Sequence, residues 1–156
     1  MRNRSRPFLS FLALIGAPWL IGASQPAVSF QAVPSHVRLE ITGVRSDKGK
    51  VQVCMTARPD RFPKCQGDRD AHVRSVPARG TVNLDFGDVA PGRYAIAVLH
   101  DENGNGKVDR ALGLMPKEGF GFSRDAPVRM GPPSFQQAAF EVSADMEQTI
   151  RMRYML

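Results

Sequence analysis

The sequence is short of the residues and motifs on which most catalytic centres are built. It contains only three histidines, two cysteines and one tryptophan. It has no H-E-x-x-H zinc motif, no G-x-S-x-G nucleophile turn and no Walker phosphate loop. A hydrolase that uses His100, with Asp101, Glu102 and Ser123 near it in sequence, is therefore an alternative hypothesis and not the leading one.

The charged residues also lack the grouping that nucleic-acid binding requires. The formal net charge is +6, but lysines and arginines form no block and are not interleaved with aromatic residues. The three arginines among the first six residues supply three of these charges, so the formal charge without them is +3. Nucleic acid is not an expected partner.

One apolar run, Phe8 to Ile21, is short for a bilayer span and is interrupted by glycine and proline. Arginines precede it and small residues follow it, which is the layout of a secretory signal peptide. We expect a signal peptide over residues 1–27, cleaved near Ala23 or Ala27, and a linker over 28–35. No cysteine follows the run, so a lipid anchor is not indicated. The mature protein is predicted to be periplasmic or secreted, without a transmembrane span.

Both cysteines, Cys54 and Cys65, lie in the part predicted to be exported. Two cysteines in an oxidising compartment usually pair. Their spacing is not C-x-x-C and no histidine accompanies them, which argues against a metal or redox site. A structural disulfide that closes a loop of this length is expected to contribute roughly 3 kcal/mol.

The remaining chain, residues 36–156, has the size of one domain and reads as β-structure. Apolar and polar residues alternate around 37–42, 51–55, 82–86, 138–142 and 150–154, and no helical period is evident. The first two of these segments are predicted to pair as a hairpin across a Ser46–Gly49 turn. We predict a single antiparallel β-sandwich of about seven strands, of the immunoglobulin-like or prealbumin-like kind.

Residues 93–99 differ from the other strands because both of their faces are apolar, which predicts a central strand covered on two sides. Tyr94 follows a Pro91-Gly92 turn at the start of this strand. It is therefore a candidate tyrosine corner, in which the phenol hydroxyl binds a nearby backbone group.

The segment that leaves this central strand resembles the start of a calcium-binding loop. Its sequence, DENGNGKVD, has the spacing D-x-N-x-N-G-x-x-D, in which alternate oxygen-bearing side chains converge and the glycine permits the turn. The predicted ligands are Asp101, Asn103, Asn105, the Lys107 carbonyl, Asp109 and Glu118.

Two features distinguish this loop from an EF-hand. The twelfth position holds Leu112 where a bidentate glutamate is needed, and a strand precedes the loop in place of a helix. Glu118 and Glu102 are the nearest carboxylates that could replace the missing ligand. Calcium affinity is expected to be weak, with a Kd on the order of 10⁻⁴ to 10⁻³ M. A metal-free reversal stabilised by Asn-Gly turns is the alternative interpretation.

Further along, Phe120 and Phe122 flank Gly121 in a stretch without sustained periodicity. One interpretation is an aromatic binding surface for a glycan or peptide. The other is that the two rings fill the core beneath a long loop.

Several of these segments also resemble known families. FGDVAPGRY, residues 86–94, is similar to a step of prealbumin-like and collagen-adhesin B-type sandwich repeats. AVLHDENGNGKVD, GLMPKEGFGFS and PPSFQQAAF together resemble the exported bacterial proteins of domain of unknown function family 2141. The resemblance implies export and a small β fold and brings no established activity.

The sequence thus predicts an exported binding or accessory module of the cell envelope, possessing a calcium loop. Its partner would be a glycan, a peptide or an envelope protein. The alternatives are a small secreted hydrolase that uses His100 and a structural subunit of an envelope assembly.

Overall fold

A computed structural model describes residues 33–111 and 115–156. The predicted signal peptide, most of the predicted linker and Leu112 lie outside the described residues. The strands are β1 (Ser35–Thr42), β2 (Lys50–Thr56), β3 (His72–Pro77), β4 (Thr81–Val89), β5 (Gly92–Asp101), β6 (Arg110–Ala111), β7 (Met115–Pro116), β8 (Gly119–Phe122), β9 (Phe140–Val142) and β10 (Met146–Arg151). A short 3-10 helix (Ser123–Asp125) and helix α1 (Phe135–Ala138) complete the secondary structure. No helix in the described ranges is both long and apolar enough to cross a membrane.

The strands form two main sheets that pack against each other, so the predicted all-β sandwich is confirmed. One sheet has the order β10-β1-β4 and the other β3-β2-β5-β8, with β9 paired to the first residues of β5. Alternating residues of both sheets bury their side chains between them, and each large aliphatic side chain so buried contributes roughly 1.5–3 kcal/mol. The fully buried members of this core include Val37, Leu39, Ile41, Val51, Val53, Met55, Val89, Ile96 and Ile150.

The predicted hairpin between the first two strands is wrong. β1 pairs antiparallel with β4 and parallel with β10, whereas β2 lies in the other sheet between β3 and β5. The chain from Gly43 to Gly49 therefore crosses from one sheet to the other. Alternation along a strand shows which face is buried but does not identify the partner strand, and this is why the pattern misled.

The central strand β5 is covered on both faces, as predicted. Tyr94, Ile96 and Val98 point into the main core, and Ala95 and Ala97 point the opposite way. The small alanine side chains leave room for a second apolar cluster, which packs over this outer face of the sheet. Its larger members are Phe62, Phe120, Phe122 and Phe135.

A side-chain hydrogen bond and a disulfide fix the segments around β5. The Tyr94 hydroxyl donates a hydrogen bond to the Ala90 carbonyl at 3.0 Å, which is the predicted tyrosine corner. Cys54 of β2 forms a disulfide with Cys65, as predicted, and thereby attaches the loop carrying Phe62 to the sheet.

The chain beyond β10 joins the two sheets at one edge. The Met152 N–H donates to the Thr42 carbonyl of β1 at 2.8 Å. The next residue, Arg153, exchanges two backbone hydrogen bonds with Phe120 of β8, at 2.8 and 3.0 Å. Successive residues of one segment therefore bind both sheets and close the sandwich on this side.

The Gly–Phe alternation of β8 makes this close approach possible. A Cβ added to Gly121 would lie 2.6 Å from Ile150 Cγ2, and one added to Gly119 would lie 2.3 Å from the Tyr154 ring. The glycines thus face the end of β10 and the residues that follow it, while Phe120 and Phe122 face the second apolar cluster.

Candidate functional site

Asp101 is the last residue of β5 and is completely buried, and its carboxylate organises the loop that follows. Its Oδ2 accepts hydrogen bonds from Gln52 Nε2 at 2.8 Å and from the Gly106 N–H at 2.7 Å. Its Oδ1 accepts a third bond from the Asn105 N–H at 3.1 Å. Gly106 has a φ of +74°, a conformation that glycine adopts without steric cost. The buried carboxylate therefore holds the turn closed from inside.

The side chains of Asn103 and Asn105 form hydrogen bonds that fold the loop around Asp109. The Asn103 and Asn105 side-chain oxygens accept bonds from the backbone N–H groups two residues onward, at 3.0 and 2.8 Å, as in Asx turns. Their amide nitrogens both donate to the Asp109 carboxylate, at 2.5 Å from Asn103 and 3.1 Å from Asn105. Partial positive charge from two amides thus surrounds the carboxylate that closes the motif.

A third carboxyl group, that of Glu118, lies beside this loop. Lys117 donates its backbone N–H to the Asp109 carbonyl at 2.9 Å, which places the next residue against the loop. The Glu118 Oε2 accepts the Asp109 N–H at 3.3 Å, whereas its buried Oε1 has no hydrogen-bond partner among the described residues. Only 3% of Glu118 is exposed.

The surroundings of Glu118 oppose its negative charge. Burial is the largest cause that raises its pKa to about 7, and the nearby Asp101 and Asp109 carboxylates raise the pKa further. The hydrogen bond from the Asp109 N–H acts in the opposite direction without offsetting them. A side-chain hydrogen bond with Asp101 also raises the pKa of Glu118, so a proton held between these two carboxyl groups relieves the repulsion in one way and a bound cation would relieve it in another.

The arrangement supplies oxygen donors but not a finished metal centre. Across residues 33–111 and 115–156, no three His, Cys, Asp or Glu side chains are already grouped closely enough to hold an ion. Asn103 and Asn105 present nitrogen to Asp109, so both amides would have to rotate to offer oxygen to a cation. The Lys107 carbonyl, at the seventh position, accepts no hydrogen bond from the described residues. The unpaired Glu118 oxygen and this free carbonyl are the observations that fit a hard cation.

Glu102 does not share this site, although it follows Asp101 directly. Its carboxylate binds the Arg45 guanidinium and the Ser46 hydroxyl, the latter at 2.7 Å. The hydrogen bond from Arg45 is the largest cause that lowers the Glu102 pKa to about 2. Of the two carboxylates expected to replace the missing ligand, only Glu118 is brought to the loop.

His100 is buried, and both of its ring nitrogens are occupied. Nε2 lies 2.9 Å from the Lys48 carbonyl and Nδ1 lies 2.9 Å from the Tyr154 hydroxyl. Because a carbonyl only accepts, Nε2 carries the proton and Nδ1 accepts the bond from Tyr154. The Tyr154 oxygen in turn accepts the Arg45 N–H at 3.0 Å. The histidine is thus a satisfied core residue that links β5 to neighbouring segments.

Ser123 is not near His100. In the β5–β8 pairing His100 lies opposite Gly119, four residues before Ser123, a separation of about 13 Å along an extended strand. The buried Ser123 hydroxyl donates to the Ala138 carbonyl at 2.6 Å and accepts the Ile96 N–H at 2.9 Å. The two residues of the alternative hydrolase hypothesis are therefore separated, and each serves packing.

Phe120 and Phe122, the predicted binding surface, are each only 9% exposed. Phe122 packs edge-on against Phe62 with ring centroids 5.9 Å apart, and Phe62 packs likewise against Phe135 at 6.1 Å. The geometry matches the interpretation in which the rings fill the core under the loop, and it gives no exposed aromatic platform at these two positions.

Two residues that contact the loop region were not anticipated from the sequence. Gln52 binds Asp101 across the sheet, and Arg45 anchors Glu102 while its guanidinium carbon lies 4.5 Å from the Tyr154 ring centroid. Neither belongs to a local motif. Gln52 could be found only from the pairing of β2 with β5, and Arg45 only from the path of residues 43–49 between the sheets.

Fold and site together define a small all-β protein in which an acidic and amide-rich loop leaves the end of the most buried strand. The chain belongs to the family described as uncharacterized protein conserved in bacteria (DUF2141), whose model matches residues 39–151. This match covers both sheets and the whole loop, and it confirms the family resemblance noted in the sequence. No curated protein and no solved structure matches the chain.

Proposed function

We propose that this protein is an exported binding or accessory module of the cell envelope that is stabilised by Ca²⁺ in the Asp101–Asp109 loop. Glu118 would act as the ligand that replaces the missing carboxylate at the twelfth position. The observation that carries the proposal is the buried Glu118 carboxyl, which has one unpaired oxygen and lies next to two other carboxyl groups.

Electrostatics give the reason for a cation. Without one, burial together with repulsion from the Asp101 and Asp109 carboxylates disfavours an ionised Glu118 and holds its pKa at about 7. Among the described residues, the side-chain groups that donate hydrogen bonds to the Asp109 carboxylate are two amides. A divalent ion would remove the repulsion and would favour the ionised form of Glu118. It would also connect the end of β5, the segment before β6 and the segment before β8 through the side chains of Asp101, Asp109 and Glu118.

The donor set favours calcium over the other common ions. It consists of carboxylates, amide oxygens and a backbone carbonyl, with no thiol or imidazole, as hard cations prefer. A turn of polar residues that can adjust its amides suits the flexible coordination of Ca²⁺ better than the strict octahedron of Mg²⁺. With amides at two positions, we expect a Kd on the order of 10⁻⁴ to 10⁻³ M.

Export is supported by the N-terminal sequence pattern and by the Cys54–Cys65 disulfide, which suits an oxidising compartment. The partner of the module stays a prediction limited to classes: a glycan, a peptide or an envelope protein. The proposal concerns the cation, because that is where the geometry is specific.

Thermal unfolding with and without Ca²⁺ tests the proposal. We expect millimolar Ca²⁺ to raise the Tm of the wild type, and the rise to be absent in Glu118→Gln and Asp109→Asn. Glu102→Gln is the matched control, because it neutralises an adjacent carboxylate bound to Arg45, and it should keep the rise.

The metal-free Tm gives an independent readout. Glu118→Gln removes a repelled carboxyl, so its metal-free Tm should not fall below that of the wild type. An equal Ca²⁺-induced rise in Glu118→Gln and in the wild type would refute the assignment of Glu118. No rise in the wild type would refute the calcium site as a whole.

A further inference from the structure

The candidate loop contains two Asn-Gly dipeptides, Asn103-Gly104 and Asn105-Gly106, and both asparagines are exposed. Asparagine followed by glycine is chemically vulnerable because glycine has no Cβ to shield its backbone nitrogen. A Cβ built on either glycine would meet no atom within 4 Å, so the loop gives no steric protection to either site.

The reaction consumes only water. The deprotonated backbone nitrogen of the glycine attacks the asparagine Cγ, a C–N bond forms, and the bond to Nδ2 breaks with loss of ammonia. The product is a five-membered succinimide. Water then opens either of its two carbonyl groups, which gives aspartate or isoaspartate at the asparagine position.

The nucleophilic nitrogens of the two dipeptides have different surroundings. The Gly106 N–H is held at 2.7 Å by Oδ2 of the buried Asp101, so that the nitrogen cannot lose its proton and attack Asn105 without breaking a charge-assisted bond. The Gly104 N–H has no acceptor among residues 33–111 and 115–156.

The side-chain carbonyl of Asn103, which is the electrophile, also receives a hydrogen bond. Its Oδ1 accepts the Asn105 N–H at 3.0 Å, a donor placed to stabilise the negative charge that develops on this oxygen during attack. Asn105 has the equivalent donor in the Lys107 N–H at 2.8 Å, so the electrophiles are matched. The two sites differ in whether the glycine N–H donates a hydrogen bond.

We propose that Asn103 is a site of spontaneous deamidation through Gly104, and that the hydrogen bond from Gly106 to Asp101 protects Asn105. The aspartate product places a carboxylate where an amide now donates to Asp109. This consequence rests on the proposed calcium site and holds for the aspartate product. The loop then reads D-x-D-x-N-G, and its carboxylates repel each other without a cation and bind Ca²⁺ more tightly.

Peptide mapping of the folded, disulfide-intact protein during incubation in mildly alkaline, metal-free buffer tests the proposal. Mass spectrometry follows the exchange of the amide for a carboxyl at each position, and Asn83-Leu84, inside β4, is an internal reference. We expect conversion at Asn103 to be about tenfold or more faster than at Asn105, a factor typical of one charge-assisted hydrogen bond. In reduced, denatured protein the two sites should react at similar rates.

Two results would overturn the proposal: equal or faster conversion at Asn105 in the folded protein, or no conversion at Asn103 when the denatured chain reacts. Asn103→Gln supplies a second check, because it should abolish the reaction at position 103 and leave position 105 slow. Titration of Asn103→Asp with Ca²⁺ is read separately. Deamidation without any calcium response would refute the calcium site and leave the modification site intact.

Discussion

The Arg45 guanidinium binds the Glu102 carboxylate through both Nε and Nη2, and this pair ties the 43–49 crossing to the residue that follows Asp101. Arg45 also donates to the Lys117 carbonyl at 3.1 Å, next to Glu118. One side chain therefore supports both segments from which the candidate ligands project.

A double-mutant cycle with Arg45→Met and Glu102→Gln should give a coupling free energy of about 1 kcal/mol in urea denaturation. The value is modest because 37% of the Arg45 side chain and 22% of the Glu102 side chain are exposed, so that solvent screens the pair. The looser pair Arg93–Glu141, at 3.8 Å and more exposed, is the control and should show coupling near zero. Equal couplings for the two pairs would contradict a supporting role for Arg45.

The asparagines offer a test that separates a calcium loop from a simple reversal. The double substitution Asn103→Asp with Asn105→Asp should lower the metal-free stability by about 1 kcal/mol. It replaces the hydrogen bonds from the two side-chain amides to the Asp109 carboxylate by repulsion between carboxylates. Calorimetric titration should show Ca²⁺ binding about tenfold tighter than in the wild type. Asn83→Asp adds one such charge on the exposed side of β4 and should leave calcium binding unchanged. If stability falls and calcium fails to restore it, the loop is a metal-free turn and not a calcium site.

The glycines of β8 predict a strong position effect. Gly121→Ala places a methyl group 2.6 Å from Ile150 Cγ2 and 3.2 Å from the Arg151 carbonyl oxygen, so it should cost about 1–3 kcal/mol in urea denaturation. The exposed Gly131 has open space around its added Cβ, and Gly131→Ala should change stability by less than about 0.5 kcal/mol. Similar effects of the two substitutions would show that β8 does not approach β10 this closely.

His72 predicts a pH dependence of stability in acid. Burial is the main cause that lowers its pKa from the ordinary value of 6.5, and the Arg74 charge adds to it. Below pH 6.5 His72 therefore binds more protons in the unfolded chain than in the folded one, and its contribution to stability declines as the pH falls through the lowered folded-state pKa. Glu118, with its pKa raised to about 7, contributes with the opposite sign over this range, so the contribution of His72 is the difference between the wild type and a His72 variant. His72→Gln should remove this part of the slope in urea unfolding measured from pH 7 to pH 5. An unchanged slope would place the acid sensitivity elsewhere.

Local patterns predicted much of this molecule. The two apolar faces of β5, the tyrosine corner at Tyr94 and the Cys54–Cys65 disulfide each follow from a short stretch of sequence, and each is confirmed. Pairing between distant strands has no such signature. The β1–β2 hairpin was wrong for that reason, and the parallel pairing of β1 with β10 was not foreseen.

The least predictable part of the fold was the chain after β5. Strand β8 was missed because glycine is a poor strand former. The close approach of β10 and the residues after it explains why glycines occupy positions 119 and 121. Helix α1 did have a signal, since Ser134 and Gln137 form a capping box. At the site, the D-x-N-x-N-G spacing identified the loop, but the burial of Glu118 depends on tertiary packing that no local motif encodes.

The contact between Tyr154 and His100 also has an optical consequence. The single tryptophan of the chain, Trp19, lies within the segment predicted to be removed on export, so the mature protein would emit only through Tyr94 and Tyr154. Tyr94 sits at the far end of β5 from Asp101, whereas Tyr154 touches the residue just before Asp101. The mature chain would thus carry its own ultraviolet reporter beside the loop, and changes there could be followed without an added dye.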